Sequence, residues 1–166
     1  MIAEHQNIDQ KLFEILETVS DPEIPVLSIL DLGIVRRVIK NDDEHVTVHV
    51  TPTYSGCPAV KAIEKSISEK LTSAGLIVSI ITDLSPAWTT DWITAQGREK
   101  LLAYGIAPPV DEVDKSVLFA EAPIVPCPLC KSANTRMVSQ FGSTACKAHY
   151  QCNECLEPFD YFKCLK

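Results

Sequence analysis

The sequence predicts an α+β fold, an α/β sandwich whose small three-stranded sheet carries helices on one side, followed by an all-β C-terminal unit closed around a metal ion. Three observations predict it. Apolar periods near 3.6 and 2 residues alternate along residues 8–105 in the order α-β-β-α-β-α. Six of the seven cysteines lie in the last 40 residues, four of them as two Cys-x2-Cys pairs. Between these regions, residues 106–122 combine prolines and four acids with little periodicity and read as a linker. The predicted division is therefore 1–105, 106–122 and 123–166.

The elements follow in order. Ile8, Leu12, Ile15, Leu16 and Val19 share one helical face, with Asn7 as the predicted N-cap. Asp21-Pro22-Glu23-Ile24-Pro25 ends that helix, because proline and the residue before it favour extended backbone. Ile34–Lys40 and His45–Thr51 read as a hairpin. Val46, Val48 and Val50 alternate with His45, Thr47 and His49, one face buried and one wet. Pro58 suits the first position of a second helix, whose stripe is Val60, Ile63, Ile67, Leu71 and Ala74 and whose stop is Gly75. Leu76–Asp83 is a third strand. Thr90 is the predicted cap of a last helix over Asp91–Tyr104, stopped by Gly105.

Composition narrows the function classes. The 166 residues carry a formal charge of −7. Residues 1–120 hold 10 Lys/Arg against 18 Asp/Glu, and such an acidic body repels phosphate backbones, so nucleic acid is not an expected partner. No apolar run reaches the ~18–20 residues of a membrane span, and Met1–Gln10 lacks the pattern of a secretory signal, so a cytoplasmic protein is expected. No glycine-rich nucleotide loop and no Gly-x-Ser-x-Gly occurs. Glu-x-x-His, needed for a helical di-iron site, is absent too. His45 and His49 lie on one strand face but ~13 Å apart, too far to share a metal, and read as a solvated face. Trp88 and Trp92 read as core or interface anchors.

Cys127-Pro-Leu-Cys130 and Cys152-Asn-Glu-Cys155 are separated by 21 residues. Two such knuckles turn four thiolates to one point, and about 45 residues bury too little apolar surface to fold without a staple. The reading is a zinc ribbon with structural Zn2+ on Cys127, Cys130, Cys152 and Cys155. A redox dithiol and an iron–sulfur cluster are the lesser alternatives, since four cysteines alone do not separate zinc from iron. The hairpin between the knuckles runs over Thr135–Phe141, turns at Gly142-Ser143 and returns through Tyr150. Cys146 and Cys164 are left over as plain or auxiliary thiols, and His149 as an exposed histidine.

Cys57 stands apart. It sits where the Thr51–Gly56 loop meets a helix N-terminus, where free amides and the helix dipole favour a thiolate. Cysteine is equally at home as a small core residue, and the local sequence leaves both readings open.

Asp21-Pro22-Glu23, Asp31-Leu32-Gly33 and Thr51-Pro52-Thr53-x-x-Gly56-Cys57-Pro58, in that order, resemble the iron–sulfur assembly domain shared by SufT-type bacterial proteins and their eukaryotic cytosolic counterparts. With the cysteine-rich tail, including Phe141-Gly-Ser-Thr-Ala-Cys146-Lys and Phe159-Asp-Tyr-Phe162-Lys, nearly the whole chain resembles the PaaD family. These are accessory subunits encoded with the phenylacetyl-CoA ring epoxidase of aerobic phenylacetate degradation. The resemblance implies a maturation factor rather than an enzyme, one that helps assemble or maintain the iron–sulfur and di-iron centres of the epoxidase complex. It makes Cys57 the iron or cluster thiolate, holding a transient iron–sulfur cluster or iron. Asp21 and Glu23 then shape that site or a partner surface, against a plain turn-and-capping role. Expected partners are the oxygenase and reductase subunits, iron–sulfur donor proteins and a second copy of the chain, whose Cys57 would add a second thiolate. The alternative is a non-catalytic structural or docking subunit acting through its ribbon.

Overall fold

The computed structural model describes residues 9–110 and 123–164. The predicted cap Asn7 and residues 111–122 of the predicted linker lie outside them. The chain forms two compact units, residues 1–97 and 98–165. Among the described residues, no helix is long and apolar enough to cross a membrane.

The first unit is the predicted mixed α+β arrangement. Helix α1, Gln10–Glu17, is capped by Asp9, whose side chain accepts from the Lys11 amide, and it buries Leu12 and Leu16. Strands β1, Val35–Lys40, and β2, His45–Val50, form the antiparallel hairpin, with a bulge between Val35 and Arg37. Helix α2, Ala59–Ser73, buries Ala59, Ile63, Ile67 and Leu71. It crosses over to β3, Ile77–Thr82, which pairs parallel to β2, so the sheet order is β1-β2-β3. Gly75 leaves α2 at φ +86°, a left-handed turn that glycine makes without Cβ strain. Helix α2 packs on β3, and α1 on α2.

Two expectations change here. The helix expected over Asp91–Tyr104 is a single 3-10 turn, Thr90–Trp92, capped by Thr89, and then α3, Ala95–Ala103. Ile93 is extended between them, and the Thr94 amide bonds the Asp31 carbonyl at 2.9 Å. The Thr94 hydroxyl then accepts from the Gly97 amide at 2.9 Å and starts the helix. A tertiary hydrogen bond thus interrupts what local propensity would continue. Of the two tryptophans, Trp88 is buried and donates to the Leu32 carbonyl at 2.9 Å, while Trp92 lies 3.4 Å beneath the Arg36 guanidinium.

The second correction concerns His49. His45 is solvated and bonds Asp42, but His49 is only 8% exposed. Parallel pairing carries the chain past β3 so that the Asp83 amide bonds the Val50 carbonyl, and the Asp83 carboxylate meets His49 Nδ1 at 2.8 Å. A carboxylate only accepts, so Nδ1 carries the proton and Nε2 faces Arg37 Nη2 at 3.5 Å. Asp83→Ala strands that N–H, and we expect a loss of about 1–3 kcal/mol in urea unfolding. An unchanged midpoint would show the pair to be energetically idle.

The second unit is a four-stranded sheet in the order β4-β7-β6-β5. Its strands are β4, Ile106–Ala107, β5, Thr135–Ser139, β6, Lys147–Cys152, and β7, Pro158–Phe162. The β5–β6 hairpin is the predicted one. Ile106 and Ala107, apolar residues at the head of the predicted linker, pair in parallel with β7. The core is Ala107, Val125, Cys127, Ala148, Tyr150, Cys152, Phe159 and Tyr161. Tyr150 packs its ring against Phe159 and Tyr161 at centroid distances of 5.8 and 5.5 Å. Two of these eight residues are metal-binding thiols, so the core and the metal centre form one structure.

Candidate metal centre and the Cys57 turn

Each knuckle is built the same way. The residue after its second cysteine, Lys131 in one and Leu156 in the other, takes a left-handed φ of 64° and 65°. That conformation costs a non-glycine residue about 1–2 kcal/mol, and its purpose here is to turn the chain back around the sulfurs. The Cys127 amide donates to Ser132 and the Cys152 amide to Glu157. Asn134 ties the knuckles together, its carbonyl and side chain accepting from the Asn153 amide and Nδ2, both at 2.9 Å.

The four sulfurs of Cys127, Cys130, Cys152 and Cys155 lie within 4.8 Å of one another. Cys127–Cys155 is 3.7 Å and Cys130–Cys152 is 3.5 Å. A zinc tetrahedron with Zn–S of ~2.3 Å has edges of about 3.8 Å, so the donor set fits that ion. Sulfide-bridged clusters, with two or more irons, need thiolates spread wider than one ion's tetrahedron. No disulfide joins any of the seven cysteines, so none competes for these sulfurs. Cys127 and Cys152 are buried, while Cys130 and Cys155 reach the surface.

The thiols also drive their own charges apart. Hydrogen bonds from the Cys155 and Glu154 amides, with help from neighbouring thiols, bring Cys152 down to about 7. At Cys155 the Glu157 amide lowers the thiol, but burial and the neighbours Cys130, Cys152 and Cys127 outweigh it and push it up to about 12. Four adjacent thiolates need a dication to ionise together.

The leftover tail motif has a structural task. Asp160 on β7 accepts from the Ser143 hydroxyl at 2.8 Å and pairs with buried Lys147 at 3.7 Å and His149 at 3.5 Å. A Cβ on Gly142 would lie 2.8 Å from Asp160 Oδ1, so the Phe141–Lys147 turn closes on that carboxylate. Cys146 is buried and Cys164 half-buried, and neither joins the metal group.

Cys57 occupies a different environment. The Thr51 amide bonds the Ile34 carbonyl, fixing the loop's start, and the Cys57 amide bonds the Tyr54 carbonyl at 3.1 Å. Pro58 has helical angles, φ −68° and ψ −22°, and no side chain caps α2. Cys57 is half-buried. Gly56 beside it is exposed, and a Cβ there would meet nothing closer than the Tyr54 ring at 3.9 Å. Among the described residues, only the four ribbon cysteines gather three or more metal-ligating groups. Cys57, Asp21 and Glu23 are not brought into such a set.

The acidic motifs that precede it in the chain hold turns. Asp21 is 7% exposed, and its Oδ1 accepts from the Glu23 and Ile24 amides, both at 2.8 Å. Asp31 and Ser28 cap each other: Asp31 Oδ2 accepts from the Ser28 amide and hydroxyl, and the Ser28 oxygen accepts from the Asp31 amide. The Ser28-x-x-Asp31 spacing is a legible signal of this. Neither the Asp31 interlock nor the His49–Asp83 pair was reached from the sequence.

The family profile described as PaaD zinc beta ribbon domain matches residues 111–163, and that described as Iron-sulfur cluster assembly protein matches residues 9–79. The chain is 48% identical over 156 residues to a "Putative 1,2-phenylacetyl-CoA epoxidase" subunit of Escherichia coli (strain K12), covering 93% of this chain and 92% of that one. It is 32% identical over 103 residues to the "Fe-S protein maturation auxiliary factor" of Porphyromonas gingivalis (strain ATCC BAA-308 / W83), covering 61% and 97%. A solved structure, a domain of unknown function DUF59 from Bacillus anthracis, is 25% identical with a TM-score of 0.47, covering 55% of this chain and 88% of that one. By its two domain types in this order and by identity along nearly its whole length, the chain belongs to the PaaD family.

Proposed function

We propose that this chain is an accessory maturation factor, not an enzyme, which helps assemble or maintain the iron–sulfur and di-iron centres of the phenylacetyl-CoA epoxidase complex. One observation carries the reading: a half-exposed thiol, Cys57, stands at a helix start that no side chain caps and, among the described residues, belongs to no group of metal ligands, whereas four other thiols close into one. A single thiolate cannot retain a cluster, but it can pass one on, with the remaining ligands supplied by a donor protein, a client or a second copy. Asp21 holds the turn that presents Glu23, and we assign that turn to partner contact near the transfer step. The oxygenase and reductase subunits are the clients.

The test is reconstitution of the client reductase with anaerobically purified protein, wild type beside Cys57→Ser. We expect the variant to lose at least about tenfold in the rate of cluster transfer while keeping about one zinc per chain. Equal cluster content in the client with either protein would refute the role of Cys57. A docking role through the ribbon is the second reading, favoured by Leu129 and Leu156, which are 61% and 67% exposed in the two knuckles. A stable stoichiometric complex with the oxygenase that survives Cys57→Ser without any maturation defect would select it.

A further inference from the structure

The two edges of the first sheet differ in chemistry. Strand β1 reads Val-Arg-Arg-Val-Ile-Lys, and its three cations guard it against pairing with its own kind. Strand β3 reads Ile-Val-Ser-Ile-Ile-Thr, with no charge and no proline. Ile77 and Ile81 on it are 54% and 43% exposed. Among the described residues β3 pairs only with β2, so one row of its backbone groups faces outward.

That row can be identified. The Ile77 amide bonds Glu44 and the Asp83 amide bonds Val50, both on the β2 side. In a parallel ladder alternate residues bond the same neighbour, so Ile77, Ser79 and Ile81 face β2. The groups of Val78, Ile80 and Thr82 point to the free edge. Thr82 also bonds Glu64 of α2, placing these even-numbered side chains on the helix-covered face and Ile77, Ser79 and Ile81 on the other.

We infer that β3 pairs antiparallel with β3 of a second copy of this chain, across a twofold axis at Ser79, making a continuous six-stranded sheet. Three constraints meet in that register. A twofold axis normal to the sheet requires paired residues of equal parity, so Val78 meets the partner's Ile80, Ile77 meets the partner's Ile81, and Ser79 meets the partner's Ser79. Val78 and Ile80 are the residues whose amides and carbonyls point outward, so they form the hydrogen-bonded pairs. Ile77 with Ile81, and Ser79 with its twin, fall at the non-hydrogen-bonded positions, where Cα atoms approach to about 4.5 Å and side chains touch most closely. Each pair over residues 77–81 is then apolar with apolar or hydroxyl with hydroxyl, which favours a second copy over a charged peptide as the occupant. The inference stands on the strand alone and does not depend on Cys57.

Sedimentation equilibrium of the full-length zinc-loaded protein tests it. A species of twice the 18.3 kDa chain mass is expected. Ile81→Lys replaces the hydrophobe at both symmetry-related positions and sets a charge at each, and should weaken the dimer at least about 100-fold. Its far-UV spectrum and zinc content should stay native. Ser79→Cys should cross-link the copies under mild oxidation, giving a band on a non-reducing gel that wild type and Thr47→Cys, on the central strand, do not give. A monomeric wild type, a dimer indifferent to Ile81→Lys, or no Ser79-dependent cross-link would each overturn the inference.

Discussion

Cys152→Ser protein is expected to carry no zinc and to show no native sheet over residues 123–164, while the first unit stays folded. Cys152 is fully buried and is at once a ligand and a core residue, so one substitution breaks both. The cluster around the knuckles holds eight buried residues among the described ones, Cys127 and Cys152 included, a small core against the conformational entropy of the chain it must order. Structural zinc contributes about 10–16 kcal/mol of apparent binding free energy in zinc-finger peptides, as much as the whole stability of a typical domain. The first unit has its own buried residues from Leu12 through Ile93 and does not need the ion. Metal analysis with amide spectra of wild type and variant decides the matter, and strong chelation of wild type should reproduce the variant. Retention of dispersed ribbon resonances without metal would remove zinc from the folding argument. Because Cys155 is pushed up to about 12, its thiol is protonated at neutral pH without metal. Loading zinc at neutral pH should therefore release protons, and acid should reverse loading; calorimetry in buffers of different ionisation enthalpy reads this directly.

Gly33→Ala should unfold the first unit at markedly lower denaturant. Gly33 has φ +65°, and an added Cβ would lie 2.5 Å from the Trp92 carbonyl oxygen and 2.8 Å from the Trp92 Cβ. The left-handed conformation alone costs about 1–2 kcal/mol. The contact is with backbone, which cannot swing aside, so the 3-10 turn carrying Trp92 must move. That turn is held by neighbouring bonds, Trp88 to the Leu32 carbonyl and Thr94 to Asp31. We expect a total above about 3 kcal/mol, a melting shift of about 12–24 °C for a unit of this size. Gly75→Ala supplies the comparison: φ is +86° with nothing within 4 Å, so only the conformational cost applies. Equal effects at the two glycines would mean that the close approach to Trp92 contributes nothing.

Local patterns predicted the elements that bury one face. The valines of β2, the apolar stripe of α2 and the alternation of the β1–β2 hairpin are each set by nearest neighbours, and each is where the sequence placed it. The two knuckles were legible because metal-ligand spacing is itself a local property. The start of α3 was not, since Thr90 and Thr94 are equal candidates by propensity and the bond from Thr94 to Asp31, distant in the chain, selects between them. His49 was misplaced for the same kind of reason. The alternation of β2 puts it on the face opposite the core valines, but that face is not wet at His49, because the Asp83 carboxylate, just past the end of β3, covers it.

The chain's own order of residues therefore settles which segments are helix or strand, that four sulfurs can close on one ion, and that three further thiols, Cys57 among them, stand outside that clamp. Folding in three dimensions settles which carboxylates are spent on turns, which histidine is shielded, and which strand is left with an uncharged open edge. The reason is range: periodicity and ligand spacing act over a few residues, whereas partners and exposure are fixed by contacts between segments that periodicity cannot relate.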